Sequence, residues 1–545
     1  MTVPSKSTIR QGRVRDRSSS SHHSTIEAAL RVFVLLTGII VVYNGYNSYE
    51  EGEFSNSTAT PTTSSSSSSS NDVLGGGTGN DNVLKSSSIT MLTSPQTSRL
   101  TTANVTVNEP LKIDDGDVKH DDIPTGTTAY RQPYSKYHTV FSTGCSTFQD
   151  WQSYVFFYHA MQSGQEGQVT RIASGCTGKD LRDIHSIFDD EIKSMSPNHH
   201  LHLTPDYSKV HMKPGGHQRP FKYFNKPFGM RHWMKYSFGC DESGCGEHDD
   251  SIIILLDPDQ IVLRPFTDNF NHSSERFKTN DYKLKVEHGS PFAQQYGFAL
   301  QWKDKVDLNH VFNGQPTNVS NIPRNEALEY YIAMGPPYIA TAKDMWSLVS
   351  VWTDVVPRVH DNYPHLLAEM FGYNLAAAHL GLRHTIAKSF MVSDQWAGME
   401  GWQLVTAVDA KDVCHNFPKS EYPHVIHYCQ RYYVGKWFIG KYRLRKDFIS
   451  CASPLLKVPP ADVALRYDYA IMPGNNERKD LKENSVKKQS FMLCHMIDAL
   501  NSAAKFYKDR HCTGKDDATT ANYNYTYVFF DDMSLPEDKL ELLPS

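Results

Sequence analysis

The sequence lacks a strong charge of either sign, and it lacks the short motifs of several common catalytic machineries. Its 545 residues carry 55 basic and 60 acidic side chains, a formal net charge of -5, so no electrostatic field argues for a nucleic-acid partner. There is no Gly-x-Ser-x-Gly turn for a serine nucleophile, no phosphate loop ending in Gly-Lys-Ser/Thr and no His-Glu-x-x-His zinc helix. Cysteine is sparse: nine residues, none before Cys145, and no C-x2-C pair of the kind that holds structural zinc. Cys240 and Cys245 bracket a short Asp-Glu-Ser-Gly loop and are expected to form a local disulfide in an oxidising lumen, the other reading being a free surface pair. An odd count leaves at least one thiol unpaired or intermolecular. No internal repeat is present.

What is present begins at the N-terminus. Lys6, Arg10, Arg13, Arg15 and Arg17 precede an apolar segment over 28–43, broken only by Arg31 and followed by Glu50, Glu51 and Glu53. Such flanks predict a cytoplasmic tail (1–25), a signal anchor (26–46) and a lumenal remainder. The segment is short for a bilayer, which wants about 20 residues, so Arg31 would have to snorkel. A cleaved secretory signal is the rival reading, but no small-x-small site follows the apolar run. Residues 47–135 are rich in Ser, Thr, Asn and Gly and cannot bury enough apolar surface to offset chain entropy, which predicts a disordered stem. Sequons at Asn56, Asn104, Asn271, Asn318 and Asn524 suit a glycosylated lumenal protein.

From Tyr137 the texture becomes that of a folded domain. Strands are expected over 137–141, 168–173 and 251–256, and helices over 149–162, 227–236, 343–356, 366–380 and 490–507. The run 251–256 has no polar alternation, as in a strand of a parallel sheet covered on both faces. Strands and helices in alternation indicate a layered α/β fold.

That apolar run ends in Asp257-Pro258-Asp259. Ligands of open α/β sheets sit at the carboxyl ends of strands. Two carboxylates there make a hard-oxygen site for Mg²⁺ or Mn²⁺, the ion that a sugar nucleotide's diphosphate needs as its glycosidic bond breaks. Asp259 is the expected metal ligand, with Asp257 assisting at the metal, through the ribose or through a water. The plain alternative is a turn, since Asp-Pro-Asp is also good turn chemistry. His427, in His424-Val425-Ile426-His427-Tyr428-Cys429, offers an imidazole to complete the metal shell, or is a satisfied core histidine. Lys441 or Lys436 offers a point charge to the diphosphate, and Arg171 offers a guanidinium to the nucleotide unless it is structural. Asp394 and Glu400 flank Gln395-Trp396 in a Gly-containing loop where carboxylate and aromatic could meet a sugar face, or which is simply solvated. Glu369 lies on a helix as a third candidate carboxylate or a buried, paired acid.

At these residues the chain resembles the hydroxyproline O-arabinosyltransferases and peptidyl serine α-galactosyltransferases of plants and algae. The similarity is carried by Phe141-Ser142 through Asp150-Trp151-Gln152, Val169 through Gly175, Asn225-Lys226-Pro227-Phe228 through Trp233, and the Asp-Pro-Asp stretch. It continues through Gly335-Pro336-Pro337-Tyr338-Ile339, Glu369-Met370-Phe371-Gly372-Tyr373, Ile426-His427-Tyr428 to Trp437 and Lys441, and ends at Arg510-His511-Cys512. It covers about 136–515, leaving 516–545 as a tail. The resemblance implies a GT-A-like (Rossmann-like) glycosyltransferase domain, a type II Golgi or endoplasmic-reticulum membrane enzyme, a UDP-sugar donor, a divalent metal such as Mn²⁺ and retention of anomeric configuration. The implied partner is a secreted or cell-wall protein, modified on hydroxyproline or alternatively on serine. By motif match it selects Asp257, Asp259 and His427 for the metal, and Asp257, Arg171 and Lys441 for the nucleotide. It also adds weight to Glu369; Asp394 and Glu400 complete the catalytic carboxylates by position alone. Asp257 stands where many family members have Glu, and the Cys240–Cys245 insertion and long stem depart from the pattern. A non-catalytic carbohydrate- or peptide-binding protein and a two-carboxylate glycoside hydrolase are the rival functions.

Overall fold

The computed structural model describes residues 132–210, 220–435, 437–471 and 478–512. The expected tail, anchor, C-terminal segment and nearly all of the stem lie outside the described residues, as do Lys436 and the sequons at Asn56, Asn104 and Asn524. Among the described residues no helix is long and apolar enough to cross a membrane. Asn271 and Asn318 are both exposed.

The described residues form fourteen strands, numbered in chain order. A seven-stranded sheet runs β3-β2-β1-β4-β7-β6-β8, built from β1 (Tyr137–Thr143), β2 (Gln168–Ser174), β3 (His199–Thr204), β4 (Ile252–Leu256), β6 (Phe292–Gln295), β7 (Met334–Thr341) and β8 (Thr385–Ala387). The first four are mutually parallel, whereas β7 runs antiparallel to both β4 and β6. A small second sheet joins β5 (Gln260–Val262), β10 (Val425–His427) and β9 (Met391–Val392) in the order β5-β10-β9. Two hairpins follow, β11 (Arg431–Val434) with β12 (Trp437–Gly440), and β13 (Tyr469–Ile471) with β14 (Arg478–Asp480).

The wholly apolar β4 is explained by its two neighbours above and below. Ile252, Ile254 and Leu256 enter one core, and Ile253 and Leu255 enter the other, because successive side chains of a strand point to opposite faces. On the first face lie α1 (Thr147–Gln162) and, later in the chain, the long C-terminal helix (Glu483–His511). His159 of α1 meets the carbonyl of Ala499 at 2.9 Å. The opposite face is covered by α2 (Asn225–Trp233), α3 (Ala342–Asn362) and α4 (Ala368–His379). The expected parallel setting of β4 is corrected on one side: β1 is parallel to it, but β7 is antiparallel. An apolar run reports burial on both faces, and strand direction leaves no trace in it.

Four disulfides close this domain: Cys145–Cys176, the expected Cys240–Cys245, Cys414–Cys494 and Cys451–Cys512. Cys429 is the unpaired thiol. The last two bridges tie the C-terminal helix to loops 80 and 61 residues earlier, and a closure of that length stabilises by about 4 kcal/mol in the chain-entropy picture.

Buried titratable groups give the domain a bell-shaped stability. Burial pushes His159, His384 and His495 down to about 4 from the ordinary 6.5. Each stays neutral in the fold where the unfolded chain would be protonated, so its share of stability is lost as pH falls from 6.5 toward 4. Two glutamates act in the opposite sense. Burial raises Glu369 to about 7 and Glu400 to about 8 from 4.5, so their share is present below 4.5 and lost as pH rises through 7 and 8. Thermal melting is therefore expected to peak at about pH 6 to 6.5, where the opposed histidine and glutamate contributions balance, with lower midpoints at about pH 4 and about pH 8. A midpoint that keeps rising from about pH 6.5 to 8 would contradict the burial of these glutamates.

Candidate active site

The site forms where β4 ends. Asp257 follows Leu256 directly, and β1 ends alongside, with Phe141 opposite Leu256. The Asp-Pro-Asp stretch is indeed a tight turn, closed by the amide of Gln260 donating to the carbonyl of Asp257 at 3.1 Å. Gln260 also accepts from the amide of Asp257 at 3.0 Å and donates to the carbonyl of Pro336 at 3.1 Å. The turn reading and the ligand reading are thus compatible: the turn is what aims both carboxylates.

The chain leaves that turn as β5, and β10 returns antiparallel to it with His427 opposite Gln260. This register places an imidazole from far along the chain next to Asp259. His427 Nε2 lies 3.3 Å from Asp259 Oδ1, and Lys441 donates to Asp259 Oδ2. Asp257, Asp259 and His427 each offer a donor atom, and these atoms all lie within 4.8 Å of one another. Two carboxylate oxygens and one imidazole nitrogen suit a hard or borderline divalent cation, so the residues fit the metal that the resemblance implies.

The electrostatics are those of a closed ion cluster. Asp259, 6% exposed, is disfavoured as an anion by burial, but Lys441 and His427 outweigh this and hold its pKa far below the usual carboxylate range. Burial likewise opposes charge on His427, yet Cys429 and Asp259 raise its pKa well above the ordinary value. On the other flank Lys226, from α2, lies 2.7 Å from Asp257 and 3.3 Å from Glu369 of α4. Burial works against the ammonium, and the two carboxylates overcome it, raising its pKa. Glu369 keeps one buried oxygen, Oε1, with no partner.

Tyr296, just past β6, bridges this cluster to the neighbouring loop. Its hydroxyl is 3.1 Å from the carbonyl of Pro336 and 3.5 Å from His427 Nδ1. The ring reaches that position because residue 335 is glycine: a Cβ there would lie 2.2 Å from the ring. Burial, then Asp257, Cys429, Glu400 and Asp259, raise its pKa well above the ordinary value.

The other expected residues fall into two groups. Asp394 and Glu400 shape the 393–401 loop from within. Glu400 accepts from the Ser393 amide and hydroxyl, both at 2.5 Å, and from the Asp394 amide at 3.2 Å. Asp394 Oδ1 caps the Trp396 amide at 2.9 Å. Arg171 lies in the middle of β2. Its guanidinium is 1% exposed and bound to Thr143 Oγ1 at 2.9 Å and Asp150 Oδ1 at 2.8 Å, which is the structural alternative weighed for it. His424 is a core histidine, 2.9 Å from Glu275. Sequence reasoning gave no role to Lys226, Tyr296 or Gln260. Lys226 lay within a block of family resemblance, and the other two carry no local signal.

No known protein-family model matches the chain. It is similar to a peptidyl serine α-galactosyltransferase of Arabidopsis thaliana, 23% identical over 356 residues, which is 63% of this chain and 36% of that protein. It is also similar to the hydroxyproline O-arabinosyltransferase NOD3 of Pisum sativum, 21% identical over 284 residues, 50% of this chain and 69% of that protein. A peptidyl serine α-galactosyltransferase of Chlamydomonas reinhardtii is 20% identical over 69% of this chain and 46% of its own length. The match thus spans about a third to two thirds of these relatives. Among solved structures, the galactosyltransferase LgtC with donor and acceptor sugar analogues is 10% identical with a TM-score of 0.30, covering 54% of this chain and 87% of that one. The bifunctional glycosyltransferase WbbM has a TM-score of 0.29 and 10% identity, covering 55% of this chain and 47% of that one. The chain is a distant sequence relative of glycosyltransferases named for two protein hydroxyl acceptors, peptidyl serine and hydroxyproline.

Proposed function

We propose that this chain is a metal-dependent, GT-A-like glycosyltransferase that moves a sugar from a UDP-sugar to the hydroxyl of hydroxyproline on a secreted or cell-wall protein. The observation that carries this reading is the convergence of Asp257, Asp259 and His427 donor atoms at the carboxyl end of β4. A bound divalent ion, Mn²⁺ by preference, would neutralise the diphosphate as it leaves. Lys441, ion-paired with Asp259, would also offer its point charge to that diphosphate. Lys226, 2.7 Å from Asp257, aims its carboxylate. A retaining transfer needs a carboxylate nucleophile or attack from the leaving-group face. Of the three candidate carboxylates, Glu369 has a buried oxygen without a partner, whereas Glu400 spends both of its own on Ser393 and Asp394. Four disulfides support a lumenal, oxidising location, consistent with a Golgi enzyme held by an N-terminal anchor.

Peptidyl serine galactosyl transfer is the second reading. The serine enzyme of Arabidopsis thaliana aligns over more of this chain than the hydroxyproline enzyme of Pisum sativum, 63% against 50%. The purified protein, incubated with Mn²⁺, a panel of UDP-sugars and peptides containing hydroxyproline or serine, is expected to give a peptide heavier by one sugar. A pentose on hydroxyproline supports the first reading and a hexose on serine the second. No product and no UDP release with any pair, from folded protein, would leave only a binding protein.

A further inference from the structure

Resting on the donor reading above, we infer that the side-chain amide of Gln295 is a recognition group for the sugar ring of the nucleotide-sugar. Gln295 ends β6, is 2% exposed, and precedes the Tyr296 whose hydroxyl faces His427. Its carbonyl oxygen, Oε1, is buried without a hydrogen-bond donor. The amide nitrogen meets only the thioether of Met399, at 3.2 Å, and a thioether is a weak acceptor. The whole carboxamide is therefore undersatisfied, and an unmet buried polar group is costly.

Its surroundings show why a ligand, and one rich in hydroxyls, fits this position. Met399 is 41% exposed on the 393–401 loop, so Gln295 lies beneath a flexible side chain at the surface. Gln294 ties the backbone of Met399 to β6. Its nitrogen donates to the carbonyls of Gln295 at 3.0 Å, Lys388 at 3.4 Å and Met399 at 3.4 Å. A methionine with three rotatable bonds yields easily. A carboxamide offers a donor and an acceptor side by side, and neighbouring hydroxyls on a sugar ring offer the complementary pair. The metal-ligand trio, one residue away through Tyr296, would hold the diphosphate, which puts the attached sugar, rather than the acceptor peptide, within reach of Gln295.

The test separates the sugar from the nucleotide. Titration calorimetry of the full chain with Mn²⁺ is run with UDP and with each UDP-sugar that the native protein turns over. For Gln295→Leu, UDP affinity is expected to stay within about twofold, while UDP-sugar affinity falls about tenfold, the loss of one or two neutral hydrogen bonds. Thermal melting of the same variant is expected to hold or rise, because the change removes an undersatisfied polar group. Gln295→Met serves as a second variant should leucine pack poorly. Equal loss for both ligands, no loss for either, or a change confined to the peptide KM overturns the assignment. Failure of the native protein to bind either UDP or UDP-sugar is a different result, and sinks the donor reading itself.

Discussion

Asp259→Asn is expected to lower sugar transfer on the order of 10³-fold or more, as removal of a group that stabilises developing charge does in a buried site. The substitution also disturbs the fold, and the two effects can be separated. Asp259 is the counter-ion for both Lys441 and His427 in a site where all three side chains are about 10% exposed or less. Removing one member of a buried ion cluster strands the others, at about 3–5 kcal/mol, whereas replacing the pair together is nearly neutral. The melting midpoint of Asp259→Asn should therefore fall, and Asp259→Asn combined with Lys441→Met should recover most of it. Neither variant should transfer sugar, and calorimetry should show Mn²⁺ affinity lost in both. A double variant with native stability and native turnover would remove Asp259 from the chemistry.

The parts of this site that were legible in the sequence are those with a local signature. Five apolar residues followed by Asp-Pro-Asp specify a buried strand and a turn without reference to the rest of the chain. Cys240 and Cys245 are close enough in sequence for a loop to bring them together. His427 is different. Its neighbour Asp259 is reached through the pairing of β10 with β5, a contact set by the sum of many packing choices, and family resemblance rather than spacing selected it. The three longer disulfides were not legible because eight paired cysteines allow about 105 connectivities. Arg171 shows the converse failure. A lone arginine near the end of an expected strand suggests anion binding, but its partner Asp150, on the first turn of α1, is visible only when β1 and β2 are laid side by side.

Lys226→Met should produce the second large effect, and its pH dependence identifies the cause. Lys226 lies between Asp257 and Glu369, and the Asp257 carboxylate raises the cost of ionising Glu369 once the ammonium is gone. Asp257 would lose the partner that aims it, so turnover should fall about 100-fold. Glu369 already sits at about 7 with Lys226 in place, and without it should shift higher. A carboxyl raised in the fold contributes stability that is complete below its unfolded value of 4.5 and lost as pH rises through the folded one. The deficit of Lys226→Met relative to the native chain is therefore expected to be modest near about pH 5.5 and about 3 kcal/mol or more near pH 8. Adding Glu369→Gln, which cannot ionise, should flatten that pH dependence. An identical loss of melting temperature at both pH values would mean that Lys226 acts by packing alone. Asp257 would then be held by its turn, through Gln260, and not by charge.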